Sequence, residues 1–447
     1  MMFAVRRSIG FSTILLIAAI APRSQGAVLW VPANHPTLQA AIDAAASGDE
    51  IRVSPGVYVG AENKNLDFQG KNLAVVGDDG AAATILDLED DGRAFDLHSG
   101  ESYDSRIEGF TIRNGNTESI DEPGGAIRCV GATVEIRSCV FEGCRAAGSA
   151  GALLLIPESQ THVYECAFRD NRCAGIGSAG GDGGAALVHG PTVLHDCLFE
   201  GNRASQGASP PARGGAISLL GGAMIEGCRL VSNEAENGWG GGVAGDDFAL
   251  FECDVLGNTA ALGGGIATTG DIAVDKTLIA GNLAASGGGL AALIDSYVNV
   301  VESTIASNVA EGAFGTLTGG GGILAFGNQG ARLYGSILWG NCAEAGGSEA
   351  KVHPHGALGL QCSAFLLPGV DGTIVYSTDC VLEDPLFCDP LSCAAVPGTG
   401  GVFDLRAASP CLPAGNACGS LMGARDESCG PTPTRSVSWG GLKTHFR

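Results

Sequence analysis

Asp254, Asp275 and Lys276 are the residues whose types and spacing come nearest to a reaction centre. Carboxylates on neighbouring repeats can hold a divalent cation against an anionic ligand, and an amine beside them can accept a carbon-bound proton. Hydrolysis would instead need two or three carboxylates placed across the bond to be broken. The same residues also fall where strands turn side chains to solvent, and solvation is the commoner origin of charge there. No catalytic residue and no cofactor site is therefore assigned. Calcium is the one ion the composition invites, because "DDGAAATILDLEDDGRAFD" holds Asp78, Asp79, Asp87, Glu89, Asp90 and Asp91. That run lacks EF-hand or calcium-roll spacing, and "SAGGDGG" occurs once and not in tandem, so a solvated loop is expected. His189 and His195 have no acid or nucleophile that the sequence places beside them.

What would position such residues is a repeat. "ECAFRDNRCA", "DCLFEGNRAS" and "GCRLVSNEAE" share one phrase. Its first column holds Cys139, Cys166, Cys197, Cys228, Cys253, Thr277, Ser303 and Ser336, all small. Two residues on stand Phe141, Phe168, Phe199, Leu230, Val255, Ile279, Ile305 and Leu338, and an aliphatic residue lies three before each phrase. Five residues on stand Cys144 and then Asn171, Asn202, Asn233, Asn258, Asn282, Asn308 and Asn341, with Asn114 read into the same column one repeat earlier. "GGAI" or a variant recurs between phrases at Gly124, Gly214, Gly240, Gly263 and Gly320. Periods of 24 to 33 residues without helical patterning indicate a β-solenoid.

The expected fold is all-β: a right-handed parallel β-helix of about eleven coils in which each column becomes a line along the cylinder. Aliphatic columns fill the core, the small column lets the wall bend, and the asparagines form a ladder at a bend, where Asn tolerates left-handed backbone. Because Thr277 and Ser303 replace Cys in its column, the cysteines there read as core filling and not as a metal array. Cys144 and Cys173 break the pattern and are expected to form a cross-coil disulfide.

Composition agrees. The 447 residues include 71 glycines, 45% hydrophobic residues and only 6% aromatics, which fits short buried strands joined by tight turns. Residues 1–26 read as a signal peptide, with Arg6 and Arg7 before the apolar run Ile9 to Ala21. Once that leader is removed, no segment is long and apolar enough to span a membrane. The formal charge of −23 argues against nucleic acid as a partner. Sixteen cysteines fit export to an extracellular or cell-surface location. Residues 27–341 are expected to form the helix with an N-terminal cap, and 342–430 the last coils and a cysteine-rich, disulfide-pinned cap. Residues 431–447 are expected to form a linker and basic tail.

The cap sequence "NHPTLQAAIDAAASGD" places Leu38, Ala41, Ile42 and Ala45 on one helical face, and Glu50 to Val53 is expected as the first strand. With "NLAVVGD" after it, "PTLQAAIDAAASGDEIRVSPGVYV" resembles the opening of pectin-lyase-like right-handed β-helix proteins. "FRDN" and "FEGN" alternating with "GGAI" resembles the repeats of the polymorphic outer-membrane protein family. That likeness covers residues 124 to 341 and implies surface display and adhesion. "FDLRAASPCLPAGNACGSLMGA" is similar to the closing segment of secreted bacterial β-helix repeat proteins. The expected role is an exported, non-catalytic scaffold or adhesin offering a long face to a glycan or extracellular protein. The alternatives are a polysaccharide lyase or glycoside hydrolase of this fold with a divergent site, and a self-associating envelope component.

Overall fold

The computed structural model describes residues 26–429, except 158–159, 176–180, 206–210, 295, 327–329 and 355. Residues 1–25 of the expected signal peptide, and the expected linker and tail at 431–447, lie outside the described residues. One coil shows how the phrase folds. Thr192–His195 lies on a first face, the chain bends at Asp196 (φ 52°), and Leu198–Glu200 lies on a second. It bends again at Gly201 (φ 66°) into Arg203–Ala204 on a third face, then at Gly214 (φ 65°) into Ile217–Leu220 on a fourth. Met224–Glu226 then pairs in parallel with Val193–His195, one coil on. A side chain at Gly214 would be forced against the Ile217 carbonyl, 1.9 Å from its Cβ, so "GGAI" is a steric requirement of that bend.

Among the described residues the four parallel sheets hold 14, 12, 9 and 11 strands. The chain is thus a parallel β-helix. The phenylalanine column gives the coil spacing directly, because Phe141, Phe168 and Phe199 stack with ring centroids 4.6 and 4.7 Å apart. Each of the three is fully buried and contributes about 1.5–3 kcal/mol of burial free energy.

Two hydrogen-bonded lines run through the wall. Asn171 Nδ2 donates to Asn202 Oδ1 at 3.0 Å, Asn202 to Asn233 at 2.9 Å, and the row continues through Asn258, Asn282 and Asn308 to Asn341. Every amide-to-amide bond points towards the C-terminal end, while the second Nδ2 hydrogen goes back to a carbonyl of the preceding coil; the last amide therefore needs an acceptor, and Asn341 Nδ2 donates to the buried Glu349 carboxylate at 2.7 Å. Burial pushes that carboxyl up to about 7, against the pull of the Asn341 and Gly340 donors. The small column is a second ladder as well as filler. Cys197 N donates to Cys228 Sγ at 3.3 Å and Thr277 N to Ser303 Oγ at 3.1 Å, and the line ends at Ser363, which accepts from Ser336 N.

Three sequence readings need correction here. The left-handed residue at each asparagine bend is the one before the asparagine: Asp170, Gly201, Ser232, Gly257, Gly281, Ser307 and Gly340. Asn114 (φ 56°) holds such a bend position itself; Arg113 pairs with Glu142, so Asn114 aligns with Gly143, outside the ladder. Cys144 and Cys173 are both free, because they belong to different columns. Cys144 N donates to Asn171 Oδ1 in the asparagine line, whereas Cys173 pairs with Ala146 and packs on Ala204 and Ala212. Burial pushes both thiols up to about 12, which keeps them protonated and inert.

The two ends are built differently. At the first, Val28–Val31 precedes the expected first strand and pairs with Glu50–Val53. The helix Leu38–Ala44, capped by the Thr37 hydroxyl, then lays Leu38, Ala41 and Ile42 over the core. At the other end Val370, Ile374 and Cys380 pack against the last core residues, and the chain continues after Ile374–Thr378. It doubles back along the outside of the second face as a strap, in which Phe387–Asp389 and Val402–Leu405 form an antiparallel pair. Phe403, Leu405, Leu412 and Met422 of the strap pack on Leu256, Leu278, Ala280, Ala306 and Ile337 of the coils. Cys342–Cys393 and Cys362–Cys418 tie strap to coils, and Cys388–Cys429 joins two parts of the strap itself.

Candidate functional site

Ionisable and aromatic side chains gather on the first face, where each strand turns two residues outward around one core residue. The outward column just before the bend reads Arg137, Tyr164, His195, Glu226, Phe251, Asp275, Val301 and Tyr334. Its centre is a contiguous cluster. His195 Nδ1 lies 3.3 Å from Glu226 on the next coil and Nε2 lies 3.2 Å from Asp196, so two carboxylates grip one imidazole. Tyr164 meets the His195 ring edge-on at 6.1 Å, stacks on His162 at 5.3 Å and hydrogen-bonds His162 Nδ1 through its hydroxyl at 2.8 Å. The Arg137 guanidinium lies 5.1 Å from the Tyr164 ring centre, and the Ser138 hydroxyl donates to Glu165 at 3.0 Å. Partial burial raises the Asp196 carboxyl, with His195 pulling the other way. Such a surface can stack a sugar ring and hydrogen-bond its hydroxyls, and its imidazole can move a proton.

The three residues singled out in the sequence do not assemble. Asp254 opens a second-face strand, and its oxygens are taken by Arg425 of the strap and, at 3.7 Å, by Arg229. Lys276 is itself a bend residue (φ 46°), with its ammonium 5.4 Å from the centre of the Phe251 ring. Both line a groove of about 530 Å³ between second face and strap, together with Asp404 and Asp426. Asp275 is not part of that groove. It lies on the first face, where burial and the neighbouring Glu302 raise its carboxyl. Asp254 is thus a structural ion-pair partner that pins the strap. The acidic run is likewise divided among cations: Asp78 pairs with Arg52, Asp87 with Arg113, and Glu89 and Asp91 with Lys64. No group of three or more His, Cys, Asp or Glu poised to hold a metal ion occurs among the described residues.

Neither a family model nor a curated relative matches this chain. Among solved structures it is similar to the A-module of an Azotobacter vinelandii mannuronan C-5 epimerase. The identity is 12%, the TM-score 0.36, and the match covers 77% of this chain and 94% of that one. It is also similar to a pectate lyase at 10% identity and TM-score 0.31, over 91% and 97% of the two chains. At those scores the superpositions are loose, and the β-helix architecture stands on the strand pairing described above.

The sequence did contain the signal for the first-face cluster. His195 sits one residue before a bend and pairs in register with Glu226, so the repeat already placed a carboxylate beside it. That signal lies between repeats, which is why His195 looks alone along the chain. The aromatic residues escape notice for a related reason, because they stand on the strands and not in the inserted loops.

Proposed function

We propose that the protein is an exported, non-catalytic β-helix scaffold whose first face binds a glycan. The observation that carries this reading is the outward column of Tyr164, His195, Phe251 and Tyr334, interleaved with Arg137, Glu226 and Asp275. Aromatic rings offer apolar faces to the C–H side of sugars, and the charged groups between them fix hydroxyls. Export is supported by three disulfides, which persist in oxidising compartments. A protein ligand fits the same face less well, since the charged groups there are largely paired with one another.

A second reading, polysaccharide cleavage, rests on one observation: His195 lies between two carboxylates with Tyr164 beside it. One experiment separates the two. The chain is presented with uronate-containing and neutral polysaccharides, and retention, unsaturated products and new reducing ends are followed together. Retention without products, weakened about tenfold by Tyr164→Ala and unaffected by Asp254→Asn, is expected for a scaffold. Products that disappear in His195→Gln would replace that reading with an enzymatic one, and absence of both retention and products would end both.

A further inference from the structure

The third face holds a charge arrangement that neither the first-face cluster nor the strap groove uses. Arg145, Arg172 and Arg203 stand in one outward column, each paired in register with the next. Stacked like charges are unfavourable unless something neutralises them. For Arg203 the neutralisation is internal, from Glu234 at 2.8 Å and Glu236 at 2.9 Å. The guanidinium groups of Arg145 and Arg172 make no ion pair, hydrogen bond or ring contact with any described residue, and both residues are exposed; Glu236 acts on Arg172 only through space. They are alone in this among the described arginines: the others are paired with carboxylates, or, like Arg213, Arg332 and Arg406, held by a ring, an amide or carbonyls. A shortage of acids is not the cause, because the chain has 48 acidic residues to 25 basic ones.

Arg145 and Arg172 both line a groove of about 630 Å³. Asp170 and Glu118 also line it, yet neither forms an ion pair with Arg145 or Arg172. The groove therefore holds two uncommitted cationic forks at coil spacing. We propose that Arg145 and Arg172 form an anion site for an acidic glycan whose carboxylate or sulfate groups recur at about 5 Å, the spacing of the coils. Guanidinium binds such oxyanions through paired N–H donors. No aromatic side chain lines the groove, so nothing there would stack a nucleic-acid base. The site lies on a different face from the column assigned above and stands independently of that assignment.

The test uses the purified chain with immobilised heparin as the sulfate probe, polygalacturonate as the carboxylate probe and dextran as the neutral one. Salt-sensitive retention on at least one acidic probe and none on dextran is expected. Arg145→Gln and Arg172→Gln should each weaken it about tenfold, and the double variant about a hundredfold. Arg332→Gln, which removes a first-face guanidinium outside the column assigned above, should leave it unchanged. Retention on heparin alone assigns sulfate, and on polygalacturonate alone carboxylate. The proposal is overturned if neither acidic probe is retained at low salt, or if the double variant binds as well as the parent. It is also overturned if the double variant loses thermal stability, because relief of like-charge stacking should leave stability unchanged or raise it.

Discussion

Along the second face one outward column changes character half-way. In the earlier coils it reads Asp87, Arg113, Glu142, Arg169 and Glu200; in the later ones Val231, Leu256, Ala280, Ala306 and Trp339. The earlier half faces water, and its charges pair across coils, as Arg113 does with Asp87 and Arg169 with Glu200. Much of the later half lies beneath the strap and packs on its apolar side chains. Backbone register and core residues are alike in both halves. What differs is the outer surface, so the outward column records what covers a coil, while the inward one records only that the coil exists.

The sharpest way to break this comparison is a charge under the strap. Ile337→Asp, at a position 1% exposed, should cost about 3–5 kcal/mol in urea unfolding and open the strap to proteases. Glu200→Leu, in the uncovered half, should stay within about 0.5 kcal/mol. Equal losses would show that the strap does not cover the face as described. The asparagine ladder, by contrast, runs through both halves. Asn202→Leu and Asn308→Leu each strip acceptor and donor from buried amides and should cost similar amounts, about 2–4 kcal/mol. A large difference between them would mean that one half carries the ladder alone.

Glu349 gives a pH signature. Its carboxyl is raised from 4.5 to about 7, so the folded chain holds the extra proton between those values. Stability should therefore fall as pH rises from about 4.5 to about 7, and Glu349→Gln should flatten that slope in urea titrations at each pH. The smallest effect is expected for Cys197→Ser, within about 1 kcal/mol, because a hydroxyl can donate to the Val163 and His195 carbonyls as the thiol does, just as the Ser303 hydroxyl donates to Val274 and Val301 further along the column. A loss as large as that of Phe199→Ser would show that the thiol contributes size and not hydrogen bonding.

The fold was legible because its evidence repeats. Each column appears many times, and neither Thr277 in place of Cys nor Leu230 in place of Phe hides it. The helix at the first end was legible from Leu38, Ala41 and Ile42, since a local period needs no partner. Contacts made once were not legible. The strap meets the coils through single events, such as Arg425 with Asp254 and Gly398 with Gly281, separated by more than a hundred residues. Even so, the loss of alternation from "FEGN" to "VLGN" and "LIAGN" already marked the covered coils. His195 and Glu226 lie between these cases: periodic in position, specific in identity, and visible only when the column is read downwards.

The asparagine row runs one way only, and this bears on how such a chain can grow. A complete coil duplicated between Asn171 and Asn233, ahead of the coils that the strap ties together, brings an amide that finds an acceptor ahead of it and a donor behind. A lost coil leaves its neighbours free to rejoin. The final coil has no such freedom, because Glu349 is the acceptor on which the row stops. Lengthening by descent therefore belongs to the interior, and the terminus must be inherited intact.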